Sequence, residues 1–231
     1  MDTPENAQAA MILTHNNDVL SGSFAWMAGG LLISAITSII VAITPAFVNF
    51  ILGSTLGFII IVVIQLGIVI FLTRKINSFG TGTARLLFIL YAILTGTTLS
   101  VIFFAFNLSS IISILLACTV MFTLLAIYGS HTKKDLTKIG QLAFFALIGL
   151  IVASVISLFI TSNILDLVLS AVGVVIFTAL IMYDAQKIKN ISLQAYTPEE
   201  ISKAKIIGAL TLYLDFINLF LNLLRLFGRK K

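Results

Sequence analysis

"LTLYLDFINLFLNLLRLF", residues 210–227, is apolar enough to lie in lipid, yet Asp215 stands near its middle. A lone charge at the centre of a membrane helix costs about 2.5–3.5 kcal/mol on insertion scales. Either the stretch is a soluble-core helix with one unusual residue, or it crosses a membrane and the protein offsets that cost. Composition decides between them. The chain has 59% hydrophobic and only 10% charged residues, with a mean hydropathy of +1.14. Soluble domains carry roughly 25% charged residues and 45–50% apolar ones.

Apolar runs long enough to cross roughly 30 Å of hydrocarbon recur along the chain. They are Phe24–Ile43, Ile51–Leu72, Ala84–Phe106, Ile111–Tyr128, Ile139–Ile160, Ile164–Tyr183 and Ile206–Leu226. None alternates as ten-residue barrel strands do, so the sequence predicts an all-α polytopic membrane protein of about seven transmembrane helices. The first 23 residues hold Asp2, Glu5 and Asp18 without Lys or Arg. They form a short polar N-terminal segment unlike a signal peptide, and the first crossing itself directs insertion. Residues 24–231 form one transmembrane domain.

The pI near 9.4 points to the membrane rather than to nucleic acid, because of where the basic residues fall. Arg74, Lys75 and Arg85 flank the link between the second and third runs. Lys133, Lys134 and Lys138 follow the fourth, and Lys187, Lys189, Lys203 and Lys205 follow the sixth. The alternate links, Thr44–Phe50, Asn107–Ser110 and Thr161–Asn163, have none. The basic links share the N-terminal side, which the positive-inside rule makes cytoplasmic. Arg225, Arg229, Lys230 and Lys231 break the pattern, since an odd number of crossings puts the C-terminus outside. Either the last run spans against the bias, the reading adopted, or it is re-entrant.

Cys118 is the single cysteine, so no intramolecular disulfide forms, and it reads as a packing residue. His15 and His131 lack ligand-like neighbours, which leaves no fixed metal site. Gly53 and Gly57 form a G-x-x-x-G pattern, and Gly30, Ser34 and Ser38 recur every fourth residue, both suited to close helix approach. The hydroxyls of "TGTTLS", residues 95–100, either line a polar path or bond their own helix, and the second reading is preferred.

The last run differs because its polar residues align. Thr211, Asp215, Asn218, Asn222 and Arg225 fall within about 80° of one another on a helix of 100° per residue. Asp215 and Arg225 are about 15 Å apart along such a helix, too far to pair. The stripe therefore faces a bundle interior or a wet cavity, and the last helix is expected to be central in the bundle. Thr211, Asn218 and Asn222 are candidate pore-lining residues. A second acid, Asp184, stands in "LIMYDAQKIKN" at the end of the sixth run, with Ser170, Gly173 and Phe177 on its helix face. Its alternative role is interfacial, reaching headgroup water. A short polar stretch joins the two runs, so Asp184 and Asp215 can meet.

"MYDAQKIKN" (182–190), "LYLDFINLFLNLLRLFG" (212–228) and "GSHTKKDLTKIG" (129–140) together resemble the Bax inhibitor-1 (TMBIM, bacterial YccA/YetJ-like) family over roughly residues 24–231. The resemblance implies a seven-helix bundle around the last helix, acting as a pH-sensitive calcium leak channel. It implies that Asp184 and Asp215 form a hydrogen-bonded proton sensor and gate, and that Arg74 latches Asp184. Some bacterial relatives carry a glutamate in the second helix, where this chain has Gln65.

Independently of the resemblance, two carboxylates close together in low dielectric cannot both ionise cheaply, and one shared proton satisfies both. Such a pair, neighboured by the polar stripe, offsets the cost of Asp215. The expected function is a non-enzymatic, acid-opened calcium leak without cofactor, in which calcium passes transiently near Asp184 and Asp215. Its partners are the lipid bilayer, calcium and protons, and its place is a bacterial plasma (inner) membrane with the N-terminus cytoplasmic. The alternative is a regulator that binds and modulates a membrane protease or a stress or death pathway partner. Intramembrane aspartyl proteolysis is disfavoured, because Leu-Tyr-Leu precedes Asp215 where those proteases place Gly-x-Gly.

Overall fold

The computed structural model describes residues 4–52, 55–157, 159–160, 162–192 and 197–231. Its helices are α1 (Pro4–Ile43), α2 (Pro45–Leu52), α3 (Thr55–Lys75), α4 (Thr81–Leu99), α5 (Ile102–Ala105), α6 (Leu108–His131), α7 (Thr137–Ser157), α8 (Asn163–Ser192) and α9 (Pro198–Phe227), with a 3-10 turn at Ile76–Ser78. Among the described residues there is no strand, only an isolated antiparallel bridge between Phe106 and Lys230. Among the described residues, six helical spans are long and apolar enough to cross a membrane: Asp18–Ile43, Thr81–Ala105, Leu108–His131, Thr137–Ser157, Asn163–Ile191 and Pro198–Phe227. The predicted second run falls on α2 and α3, across residues 53–54, and is not among these six. Gly53 lies outside the described residues, as does the side chain of His15.

Local chemistry accounts for the ends of several helices. At the start of α9, Glu200 N donates to Thr197 Oγ1 at 3.2 Å and Thr197 N donates to Glu200 Oε2 at 3.0 Å. This reciprocal capping box, with Pro198 as the first helical residue, satisfies donors that helix geometry leaves open. Ser162 Oγ accepts from Leu165 N at 3.3 Å ahead of α8. The link Thr44–Phe50 is largely helical, since Pro45 opens α2 with φ already set for a helix. In "TGTTLS" the hydroxyls of Thr97, Thr98 and Ser100 donate to Ile93, Thr95 and Thr97 carbonyls at 3.0, 2.9 and 2.7 Å. Such back-bonding competes with the helix ladder, and here the chain turns between α4 and α5.

The chain forms two compact units, one of residues 1–105 and 191–213, the other of residues 106–190 and 214–231. In the first unit α1 meets α4 closely. A Cβ on Gly96 would lie 2.5 Å from the Ser34 carbonyl oxygen, so only glycine allows this approach. Ser34 Oγ donates to Ala92 O at 2.7 Å and meets the Tyr213 hydroxyl at 2.6 Å. Phe88 and Tyr91 pack edge-on against the Tyr213 ring.

In the second unit Phe122 packs on Phe216, ring centres 5.4 Å apart, over buried Cys118, whose thiol faces the Phe216 carbonyl at 3.9 Å. The last helix is the most buried of the spans, with 67% of its apolar window inside the protein against at most 33% in any other. It supplies Ile206, Leu210 and Tyr213 to the first core and Phe216, Leu219 and Leu224 to the second. The outer faces stay apolar: Leu142 is 72% and Phe145 69% exposed, as side chains solvated by lipid are. The chain is an integral membrane protein, all helical, with its last helix as the core.

Candidate functional site

Asp184 in α8 and Asp215 in α9 are both buried, in the second unit. Their carboxyl groups lie within interaction range of each other. A hydrogen bond between two carboxyl groups requires a proton on one of them, so two acids this close can share a single proton. Asp215 Oδ2 is buried and has no hydrogen-bond partner among the described residues. Ile181 and Ala185 flank Asp184 and are fully buried, while the charge of Lys187 acts on Asp184 from one turn further along α8.

The end of α8 is fastened to the 129–140 stretch by contacts that sequence reasoning missed. Gln186 Oε1 accepts from Leu136 N at 2.9 Å, and its Nε2 donates to Lys134 O at 2.8 Å. Lys189 Nζ donates to Ser130 O at 2.7 Å. Within the loop, Asp135 Oδ1 accepts from the Thr137 hydroxyl and backbone N at 2.6 and 2.9 Å. These two bonds hold the Asp135 carboxyl below the ordinary value of 3.8. The only signal in the sequence was the joint presence of "MYDAQKIKN" and "GSHTKKDLTKIG", which hydropathy does not connect.

Past the pair, the α9 stripe continues inside the same unit. Asn218 Nδ2 donates to Leu214 O and Asn222 Nδ2 donates to Asn218 O, both at 2.8 Å. Folding each amide back on its helix leaves the Asn222 Oδ1 facing Gly173, where a Cβ would come within 2.6 Å. Asn218, Asn222 and Arg225 line a cavity of about 360 Å³ together with Ser154, Leu169 and Phe177. Thr211 belongs to the first unit, half-buried, with its hydroxyl donating to Ile207 O at 3.0 Å. Arg74 is also in the first unit, exposed in the last turn of α3, and among the described residues makes no ion pair. Gln65 is half-buried, and its Nε2 reaches Thr98 Oγ1 at 3.3 Å. Among the described residues no three His, Cys, Asp or Glu side chains could hold a metal ion together.

The second unit thus holds a buried acid pair and, further along α9, a cavity lined with carboxamides. Comparison with known proteins places it in context. The family profile described as "Inhibitor of apoptosis-promoting Bax1" matches residues 16–231. The inner membrane protein YbhL of Escherichia coli K12 is 39% identical over 210 residues, covering 90% of both chains. A protein of Borreliella burgdorferi is 35% identical over 232 residues, covering 100% of this chain and 99% of its own. One from Rickettsia prowazekii is 36% identical over 208 residues, 90% of this chain and 88% of its own. The chain belongs to the Bax inhibitor-1 family.

Proposed function

We propose that this membrane protein is a pH-sensitive calcium leak channel gated by the Asp184–Asp215 pair, without enzymatic activity. The observation that carries the reading is the pair of buried neighbouring acids, one of which, Asp215, stands on the polar stripe continuing through Asn218 and Asn222. With one proton the pair keeps a net negative charge, which attracts calcium and, on Asp184, a guanidinium; Arg74 is the candidate latch. A second proton neutralises the pair and weakens that latch, because a neutral acid loses most of its attraction to a guanidinium. Acid therefore opens the path. Stronger acid also removes the charge that draws calcium, so flux peaks at mildly acidic to neutral pH. The name of the Escherichia coli relative supports an inner-membrane location, and the basic links favour a cytoplasmic N-terminus.

The description of the family as an inhibitor of a death-promoting protein favours a second reading, modulation of a membrane-protein partner. Calcium entry into liposomes holding only the purified protein separates the two. A leak channel dissipates the gradient unaided and does so most strongly in mild acid. A modulator without its partner leaves the gradient intact at every pH, and that result overturns the channel reading.

A further inference from the structure

Beyond Asn222 the cavity runs on, through Ser154, Leu169 and Arg225, into a wider cleft of about 570 Å³. Its wall combines Ser157, Asn163 and Asp166 with Arg225 from the last turn of α9 and Lys230 from the tail. The tail is held in place by its backbone. Asn107 N donates to Arg229 O at 3.0 Å, Arg229 N donates to Ser110 Oγ at 3.2 Å, and Asn107 Nδ2 donates to Lys230 O at 3.4 Å. Two cations and a carboxylate thus share one cleft. All three are exposed, and among the described residues none of them makes an ion pair.

The surroundings are those of a headgroup layer. The cleft sits at helix ends, beside Ile164 at 77% and Leu167 at 54% exposure, so apolar side chains facing acyl chains adjoin the charges. Arg225 and Lys230 are also among the residues that break the positive-inside bias. Cations on that side are better tolerated where they meet fixed phosphates. A simple anion would be repelled by Asp166, whereas a group with a phosphate at one end and an ammonium at the other complements all three charges.

We propose that this cleft seats the headgroup of a phospholipid bearing a primary amine, with Arg225 and Lys230 on the phosphate and Asp166 on the ammonium. Ser157 and Asn163 add neutral hydrogen-bonding groups around it. The proposal is independent of the calcium reading, since it uses neither acid of the pair. A quaternary ammonium has no N–H to donate, and a glycerol headgroup has no charge to offer Asp166, so both fit less well.

The test is native mass spectrometry of the full-length protein released from bilayers of phosphatidylethanolamine, phosphatidylcholine and phosphatidylglycerol in equal parts. Phosphatidylethanolamine is expected to be retained about tenfold over the other two, a difference equivalent to one well-made charged hydrogen bond. Arg225→Gln and Lys230→Gln, separately, lower that retention, and Asp166→Asn removes the preference for the amine headgroup. Two single variants at the phosphate end keep the outcome readable if one fails to fold. Equal retention of the three lipids by the unmodified protein overturns the proposal. So does retention unchanged in all three variants. Soluble phosphoethanolamine competing as strongly as the lipid makes this a small-solute site instead and overturns the lipid assignment.

Discussion

At the residue scale, Asp215 stands in an apolar helix next to a second buried acid on α8, with which it can share a proton, and the polar stripe continues along its own helix. The same stripe depends on glycine. A Cβ at position 173 would collide with the Asn222 amide, so Gly173→Ala should cost about 1–3 kcal/mol, as overpacking does, and narrow the adjoining cavity. A thermal unfolding series with Gly29→Ala as control checks this, since a Cβ at position 29 meets nothing within 4 Å. Equal loss in both variants contradicts the assignment. The acids were legible in the sequence because a carboxylate within a long apolar run is costly and hence informative. Gln186 was not, because a polar residue at a helix end next to lysines looks like ordinary interfacial chemistry, and its two bonds are to backbone 50 and 52 residues away. Asp166 went unremarked for a similar reason, sitting near the start of a run where water is within reach.

At the element scale, α9 owes its start to the Thr197–Glu200 box. Thr197→Ala should destabilise it by about 1 kcal/mol, seen as faster amide exchange over residues 198–202 without change near Asp215. The stretch before α7 makes a pH prediction. The folded-state Asp135 carboxyl lies below 3.8 because Thr137 bonds its charged form. Its contribution is therefore complete above the unfolded value and is lost as pH falls through the lower folded one. Amide exchange at Thr137 should stay slow at neutral pH and rise only in acid below 3.8, and Asp135→Asn should exchange faster at neutral pH with a flatter acid response. A neutral-pH rate equal to the unmodified protein contradicts this. Periodicity and length located most helices, since lipid imposes one length on every span. The turn after α4 and the helix in the first link were not legible, because hydroxyl back-bonding and a proline start act within an unbroken apolar composition.

At the scale of the whole molecule, α9 is one continuous helix, which favours a spanning segment over a re-entrant one. Its tail bonds to Asn107 and Ser110 at the start of α6, whereas Gln186 and Lys189 bond to residues 130–136 at and just beyond its end. Single cysteines at Lys134 and Lys231 should therefore label from opposite sides of the membrane. Cys118 is buried and contributes little background. Labelling from one side means the last helix does not span. The cationic tail could not be placed from the sequence, because charge bias alone argued against the side that helix continuity favours.

The function proposed for this protein depends on whether the acid pair senses protons for ion passage. The most direct measurement is calcium flux into proteoliposomes from acid to alkaline pH, for the unmodified protein, Asp184→Asn and Asp215→Asn side by side. The unmodified protein should show a maximum at mildly acidic to neutral pH. Asp184→Asn, which loses the charge on which the proposed latch depends but keeps its shape, should be leaky with a flattened profile. Asp215→Asn should be flattened too, with lower flux because the more deeply buried charge is gone. If both variants retain the pH profile of the unmodified protein, the Asp184–Asp215 pair is not the sensor.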